Sequence, residues 1–319
     1  MLQKWLTDYG IPFEENISLS QKTWIKTGGT CDCWIVPASV QQLEDVCRFL
    51  YSNNFSFDIV GQTSNIFFHS TYNPKIVVST VKVNNYEIND GIITCDCGVN
   101  VAKFSRECLE AGYSGFYGLV GLPGTVAASV YGNAGCFDCS IVSMLTCVDV
   151  LLPDGIVHTF GKEELGYTHR SSAFKRKEIQ GIILSVKLKV EKAKDLAAEK
   201  RKSEKTVVYR KTKQEKPNWC LGSVFSSRNE KQNVKNHIAN LMAKILAKLK
   251  ITDQGRAYKR LLLRLYGYYD LNPYISDKNV NTFVWRDEKA EQKFERYKEL
   301  MGKVYDNLMI EIEEKTIAK

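Results

Sequence analysis

Three stretches of this chain combine residue types and spacings that can do chemistry. In Tyr167-Thr168-His169-Arg170-Ser171-Ser172-Ala173-Phe174 an arginine sits between a histidine and two serines. A guanidinium is always charged and forks onto carboxylate or phosphate, although an arginine in such a setting is more often a surface cation. The second stretch, VGQTSN at residues 60–65, packs small polar residues into a turn after a strand-like run. Backbone amides in such a turn converge on an anion, and Ser64 and Asn65 add side-chain donors. The third, residues 118–135, spaces glycines among alanines and a serine, with Pro123-Gly124 fixing a turn. Neither loop is the dinucleotide fingerprint G-x-G-x-x-G, and the P-loop lysine is absent. Two such loops in one domain favour a large phosphate-bearing ligand.

The elements that must position these residues follow from periodicity. CDCWIVPA and FSFDIVG read as strands around a helix, SVQQLEDVCRFLYSNN, in which Ser39 is the N-cap and Leu43, Val46, Cys47 and Leu50 share a face. KIVVSTV, YEIND and IITCDCG are β-rich, with Asn89-Asp90-Gly91 as a hairpin turn. A second helix runs from Asn100 to Gly112. MLTCVDVLLPDGIVHTF forms a hairpin turning at Pro153-Asp154-Gly155, and IQGIILSVKLKV is a further strand. Beyond about residue 192 the texture changes to a charged run, read as a linker or solvated helix face, and then to helices. Ile238, Leu241, Met242, Ile245 and Leu249 fall at helical spacing opposite lysines, a pattern read as core packing rather than partner or membrane binding. A last helix leads into a terminal strand, LMIEIE. The pattern is α+β for about 190 residues, then a smaller α/β domain.

The 319 residues, 44% apolar and 25% charged, suit a folded chain with a substantial core. The net charge of +8 fits an anionic ligand or simple solubility; the basic run mixes in acids and few aromatics, which argues against a nucleic-acid groove. No secretory signal opens the chain and no apolar run approaches membrane-spanning length, so a reducing cytoplasm with free thiols is expected for the ten cysteines. Cys31 with Cys33, and Cys95 with Cys97, alternate onto one strand face each. The only C-x-x-C joins Cys136 to Cys139, and the four histidines are too scattered to complete a zinc site.

Taken in order, KTGG, GQTSN, GLPGTVAASVYGNAG, RSSAF, GSVF and LMIEI resemble the MurB family, flavoproteins of the vanillyl-alcohol-oxidase type, from about residue 18 to 313. The resemblance is strong to residue 190 and at GSVF, and thin from 229 to 300. It implies a two-subdomain FAD-binding (PCMH-type) module over 1–192, split near 75–85, a charged linker over 193–217, and a smaller substrate-binding domain over 218–319. It also implies noncovalent FAD, NADPH as hydride donor, and reduction of the enolpyruvyl ether of UDP-N-acetylglucosamine in peptidoglycan precursor synthesis. The implied enzyme is a cytoplasmic monomer that takes a nucleotide sugar, with no nucleic-acid or membrane partner. On this resemblance Gly61, Gln62, Thr63, Ser64 and Asn65 lie at the flavin diphosphate, and Gly121, Gly124, Thr125, Asn133 and Gly135 line FAD. Arg170 is the catalytic arginine, Ser223 the proton donor and Glu311 the carboxylate that holds or polarises the substrate.

Some positions depart from the family pattern. Thr63 replaces a glycine, His169 replaces a tyrosine, Ser226-Ser227-Arg228 stands where Lys-Asn-Pro-like residues are usual, and Asn279 stands where histidine is usual. These departures keep other readings open: a related reductase acting on a different nucleotide sugar in surface-polysaccharide synthesis, a flavin- or nucleotide-sugar-binding relative without turnover, or an oxidase of the wider superfamily.

Overall fold

The computed structural model describes residues 1–316, with the side chains of Ser227 and Arg228 outside that description. The fold is α+β and divides into two compact units. The first comprises Met1–Gln21, Gly29–Thr63 and Asn73–Val208; the second comprises Lys22–Gly28, Ser64–Tyr72 and the chain from Tyr209 onward.

In the first unit, one sheet runs in the order Phe13–Ser18, Thr30–Ile35, Ile76–Ser79, Asp58–Val60, antiparallel at the first pair and parallel thereafter. A parallel neighbour demands a crossover, and the helix Val40–Ser52 supplies it. Ser39 caps it by accepting from the Gln42 amide, while Leu43, Val46, Cys47 and Leu50 are buried against Cys33, Ile35, Ile76 and Val78. The chain passes to a second sheet between Ser79 and Tyr86. That sheet is wholly antiparallel, in the order Val157–Gly161, Leu145–Leu151, Ile182–Lys189, Ile92–Asp96, Tyr86–Asn89. Asn89 pairs with Ile92 across a two-residue turn in which Asp90 and Gly91 both take positive φ, as the sequence predicts. The helix Val101–Glu110, capped by Asn100, packs Phe104 and Cys108 onto this sheet's core.

All ten cysteines are free thiols, most of them buried. Burial pushes Cys33, Cys97 and Cys108 up to about 12, so these are space-filling thiols rather than nucleophiles. Cys136 and Cys139 face each other across a tight hairpin whose tip, Phe137-Asp138, has both φ angles positive.

The run read as a charged linker contains a helix, Leu196–Lys213. Asp195 accepts from the Ala198 amide at 2.8 Å, and the Ala-Glu-Lys-rich residues that follow are strong helix formers.

The second unit packs its core around Phe67, Phe283, Trp285, Phe294 and Tyr297. The strands Phe225–Glu230 and Tyr305–Ile310 pair antiparallel, and Glu313–Lys315 pairs parallel with Ile66–Phe68. Helices Val234–Lys248, Gln254–Tyr266 and Ala290–Val304 complete it. Here one expectation is corrected. Ile238, Leu241, Met242, Ile245 and Leu249 do share a face of the first of these helices, but that face is exposed; Asn236, Ala239 and Ala243 are its buried residues. Periodicity locates an apolar stripe without saying which side of the helix the core lies on, and small residues won the core side because they allow close approach to Gln254–Tyr266. Among the described residues, no helix is long and apolar enough to cross a membrane.

Candidate functional site

The two glycine loops meet within the first unit. Gln62 Oε1 accepts from the Gly124 amide at 2.9 Å. Gly61 lies so close to Thr125 that a Cβ on it would stand 2.7 Å from Thr125 Oγ1, so a side chain there would force the Thr125 side chain to shift. Gly124 has φ +124° and Gly121 has φ +85°, conformations that glycine adopts without strain. Thr125 then caps the short helix Val126–Gly132 by accepting from the Ala128 amide. Thr63 is buried and has φ +54°. A β-branched residue in the left-handed region is costly, so threonine holds the backbone shape that a glycine would take freely. Among the described residues the amides of Gly61 and Gln62 meet no protein acceptor. Unpaired amides at a turn are the donors a diphosphate requires, so this donor set fits FAD.

Arg170 belongs to the same unit and to a strained turn. Thr168 and Ser171 exchange backbone hydrogen bonds around it, and Arg170 itself has φ +55°. Its Nη2 donates to Gly135 O at 2.8 Å and its Nη1 to Asn133 O at 3.4 Å. Asn133, left-handed at the end of Val126–Gly132, returns a bond from Nδ2 to Thr168 O at 2.8 Å. The Asn133–Gly135 turn and the arginine turn are therefore one clasped structure that fixes a guanidinium. Ser172, fully buried, locks it by donating to Tyr131 O at 2.6 Å and accepting from the Lys175 amide. Ser172 was visible only as a letter in the arginine motif; its role depends on a carbonyl 41 residues away. Burial pushes the Tyr167 phenol above its ordinary value, so it stays protonated. His169 is exposed.

The second unit gathers Asn65, Ser223 and Glu311. Past the paired strands the ladder continues, with the Glu311 amide donating to Val224 O at 2.8 Å. Asn65 Nδ2 donates to Glu311 O at 3.2 Å, and Asn65 O accepts from the Glu313 amide at 2.9 Å. Ser223, half-buried between Gly222 and Val224, makes no hydrogen bond among the described residues. The residues that follow it, Val224 and the start of the strand Phe225–Glu230, are held by Asn281, a residue the sequence did not single out. The Asn281 backbone oxygen accepts from the Val224 amide at 2.9 Å, and its side chain makes bonds to Phe225 N and O at 3.1 and 2.8 Å. Ser64 opens the segment that carries Asn65 into this unit. His69, between Glu291 and Glu314, ties the neighbouring strand in place.

Residues 31–161 match the FAD binding domain family. A UDP-N-acetylenolpyruvoylglucosamine reductase of Caldicellulosiruptor saccharolyticus is 25% identical over 60% of this chain and 62% of its own length. The reductase of Carboxydothermus hydrogenoformans is 33% identical over 52% of this chain and 56% of its own length, and that of Bacillus licheniformis is 29% identical over 66% and 69%. The first-matched relatives are spanned over only about half to two thirds of their length. The crystal structure of MurB from Thermus caldophilus superposes with a TM-score of 0.67 over 96% of this chain and 100% of that one, at 19% identity, a likeness of fold. The chain is thus similar in sequence to UDP-N-acetylenolpyruvoylglucosamine reductases, carries a match to the FAD binding domain family over residues 31–161, and shares the fold of MurB.

Proposed function

We propose that this protein is an FAD-dependent, NADPH-linked reductase that converts UDP-N-acetylenolpyruvoylglucosamine to UDP-N-acetylmuramate for peptidoglycan precursors, working in the cytoplasm on a nucleotide sugar. The observation that carries the reading is the built arginine turn, a strained, doubly anchored guanidinium on the same unit as the two clasped loops. Strain at a charged residue that its surroundings over-determine is a mark of function.

The hydride is what bound FAD, reduced by NADPH, would supply. Gly61 and Gln62 offer amides to the diphosphate, with Gly121, Gly124 and Thr125 shaping the adjoining loop. On this reading Asn133 and Gly135 line the cofactor and fix Arg170. The Arg170 guanidinium stabilises negative charge that spreads into the substrate carboxylate as the double bond accepts hydride. Ser223 holds a hydroxyl proton with no competing protein acceptor and gives it to the carbanion carbon; serine is a weak acid, so only a strongly basic enolate would take it. Glu311, its backbone set by Val224 and Asn65, orients the carboxylate end.

Steady-state turnover tests this. NADPH oxidation should depend on the enolpyruvyl sugar and match the product formed mole for mole, and Ser223→Ala should abolish product while leaving flavin bound. Sugar-independent NADPH oxidation, or an unimpaired Ser223→Ala enzyme, would count against the assignment.

A further inference from the structure

The helix Val234–Lys248 is inside out. Its core side carries Ala239 and Ala243, both fully buried, whereas Leu241, Ile245 and Leu249 are 51%, 49% and 63% exposed. Val234, Ile238 and Met242 complete the stripe, all exposed. At 100° per residue these six positions fall within about a third of the helix circumference, a continuous apolar face. Surface leucines scattered singly need no explanation; a contiguous stripe of them does.

The charges around the stripe say what covers it. Residues 231–252 contain no aspartate or glutamate, and Lys235, Lys244, Lys248 and Lys250 stand along or just beyond the helix. Lys235 lies on one flank of the stripe and Lys244 and Lys248 on the other, where long side chains reach outward from an apolar seat. A second copy would bring lysines against lysines. A nucleic-acid backbone would meet the lysines and leave Leu241 and Ile245 against water. A beside-the-helix cleft of about 300 Å³, lined among others by Asn233, His237, Asn240 and Lys244, offers polar donors next to the stripe. The one carboxylate there, Glu230, is already engaged by Asn240 and Tyr258.

We propose that this helix docks the protein on an anionic lipid surface, with the apolar stripe at the acyl boundary and the flanking lysines among the headgroups. The contact is peripheral, and it is independent of the reductase reading.

The test uses the full-length protein and vesicles of phosphatidylcholine with or without phosphatidylglycerol. The protein should sediment with the phosphatidylglycerol vesicles and not with phosphatidylcholine alone, and raised salt should weaken binding. Ile245→Asp and, separately, paired Lys244→Glu and Lys248→Glu should each reduce binding at least tenfold. Both sites are exposed, so thermal unfolding should be unchanged and will show whether either variant fails to fold. Failure to bind phosphatidylglycerol vesicles, or binding indifferent to Ile245→Asp, overturns the proposal. So does light scattering that finds a dimer which Ile245→Asp dissociates, because the stripe then belongs to a second copy.

Discussion

Asn65 Nδ2 donates to the backbone oxygen of Glu311 at 3.2 Å, joining positions 246 residues apart. The residue assigned to the diphosphate loop thus holds the backbone of the residue assigned to the substrate carboxylate. Asn65→Ala should remove about 1 kcal/mol of positioning, a roughly fivefold fall in kcat with little change in the KM for NADPH. Stopped-flow traces of the two half-reactions check it: the loss should fall on substrate reduction. A loss confined to flavin binding would mean that the bond to Glu311 has no catalytic consequence.

Arg170 is anchored through two nitrogens to two carbonyls, Asn133 O and Gly135 O. Arg170→Ala should lower kcat by about 10²–10³, the range for removing a preorganised donor at developing charge. Arg170→Lys should recover less than tenfold of this, because a single ammonium cannot span both carbonyls and still present a fork. Equal activity in Arg170→Lys and wild type would show that only a point charge is needed.

The second unit has a pH-dependent ion pair. Lys259 is buried; its ammonium donates to Asn272 O and Ile275 O, both at 3.0 Å, and pairs with Asp277. Burial pushes the Asp277 carboxyl up, but the Lys259 hydrogen bond and charge, with Arg256, outweigh it and leave the group below its ordinary value. A folded-state pKa below the unfolded one means that the unfolded chain binds more protons between the two. The stabilisation is therefore present above about pH 4 and lost as pH falls through the lowered value. Urea midpoints of wild type and Asp277→Asn should differ at pH 6 and converge toward pH 3. A constant difference would place the effect outside this titration.

Local signals in the sequence located the elements well where the determining physics is local. Ser39 and Asn100 cap the helices assigned to them, and Asp90-Gly91 turns its hairpin with positive φ at both positions. The arginine motif and the two glycine loops stood out as residues, whereas Ser223 and Glu311 were singled out only by the family resemblance. What joins them was not legible, because each bond spans dozens to hundreds of positions: Gln62 to Gly124, Arg170 to Gly135, Asn65 to Glu311. Asn281 shows the same limit, since an asparagine among polar neighbours gives no sign that it will bind both edges of Phe225. The stripe of Val234–Lys248 failed differently. Its period was right, but the choice of buried face was set by the close approach of Ala239 and Ala243 to the core.

The measurement that tests the central claim most directly is flavin absorbance under anaerobic conditions. NADPH should bleach the yellow protein, and the enolpyruvyl ether of UDP-N-acetylglucosamine should then restore the colour within turnover time while UDP-N-acetylmuramate appears. Bleaching that this sugar does not reverse would contradict the assigned substrate, and flavin that NADPH cannot bleach would contradict the reductase itself.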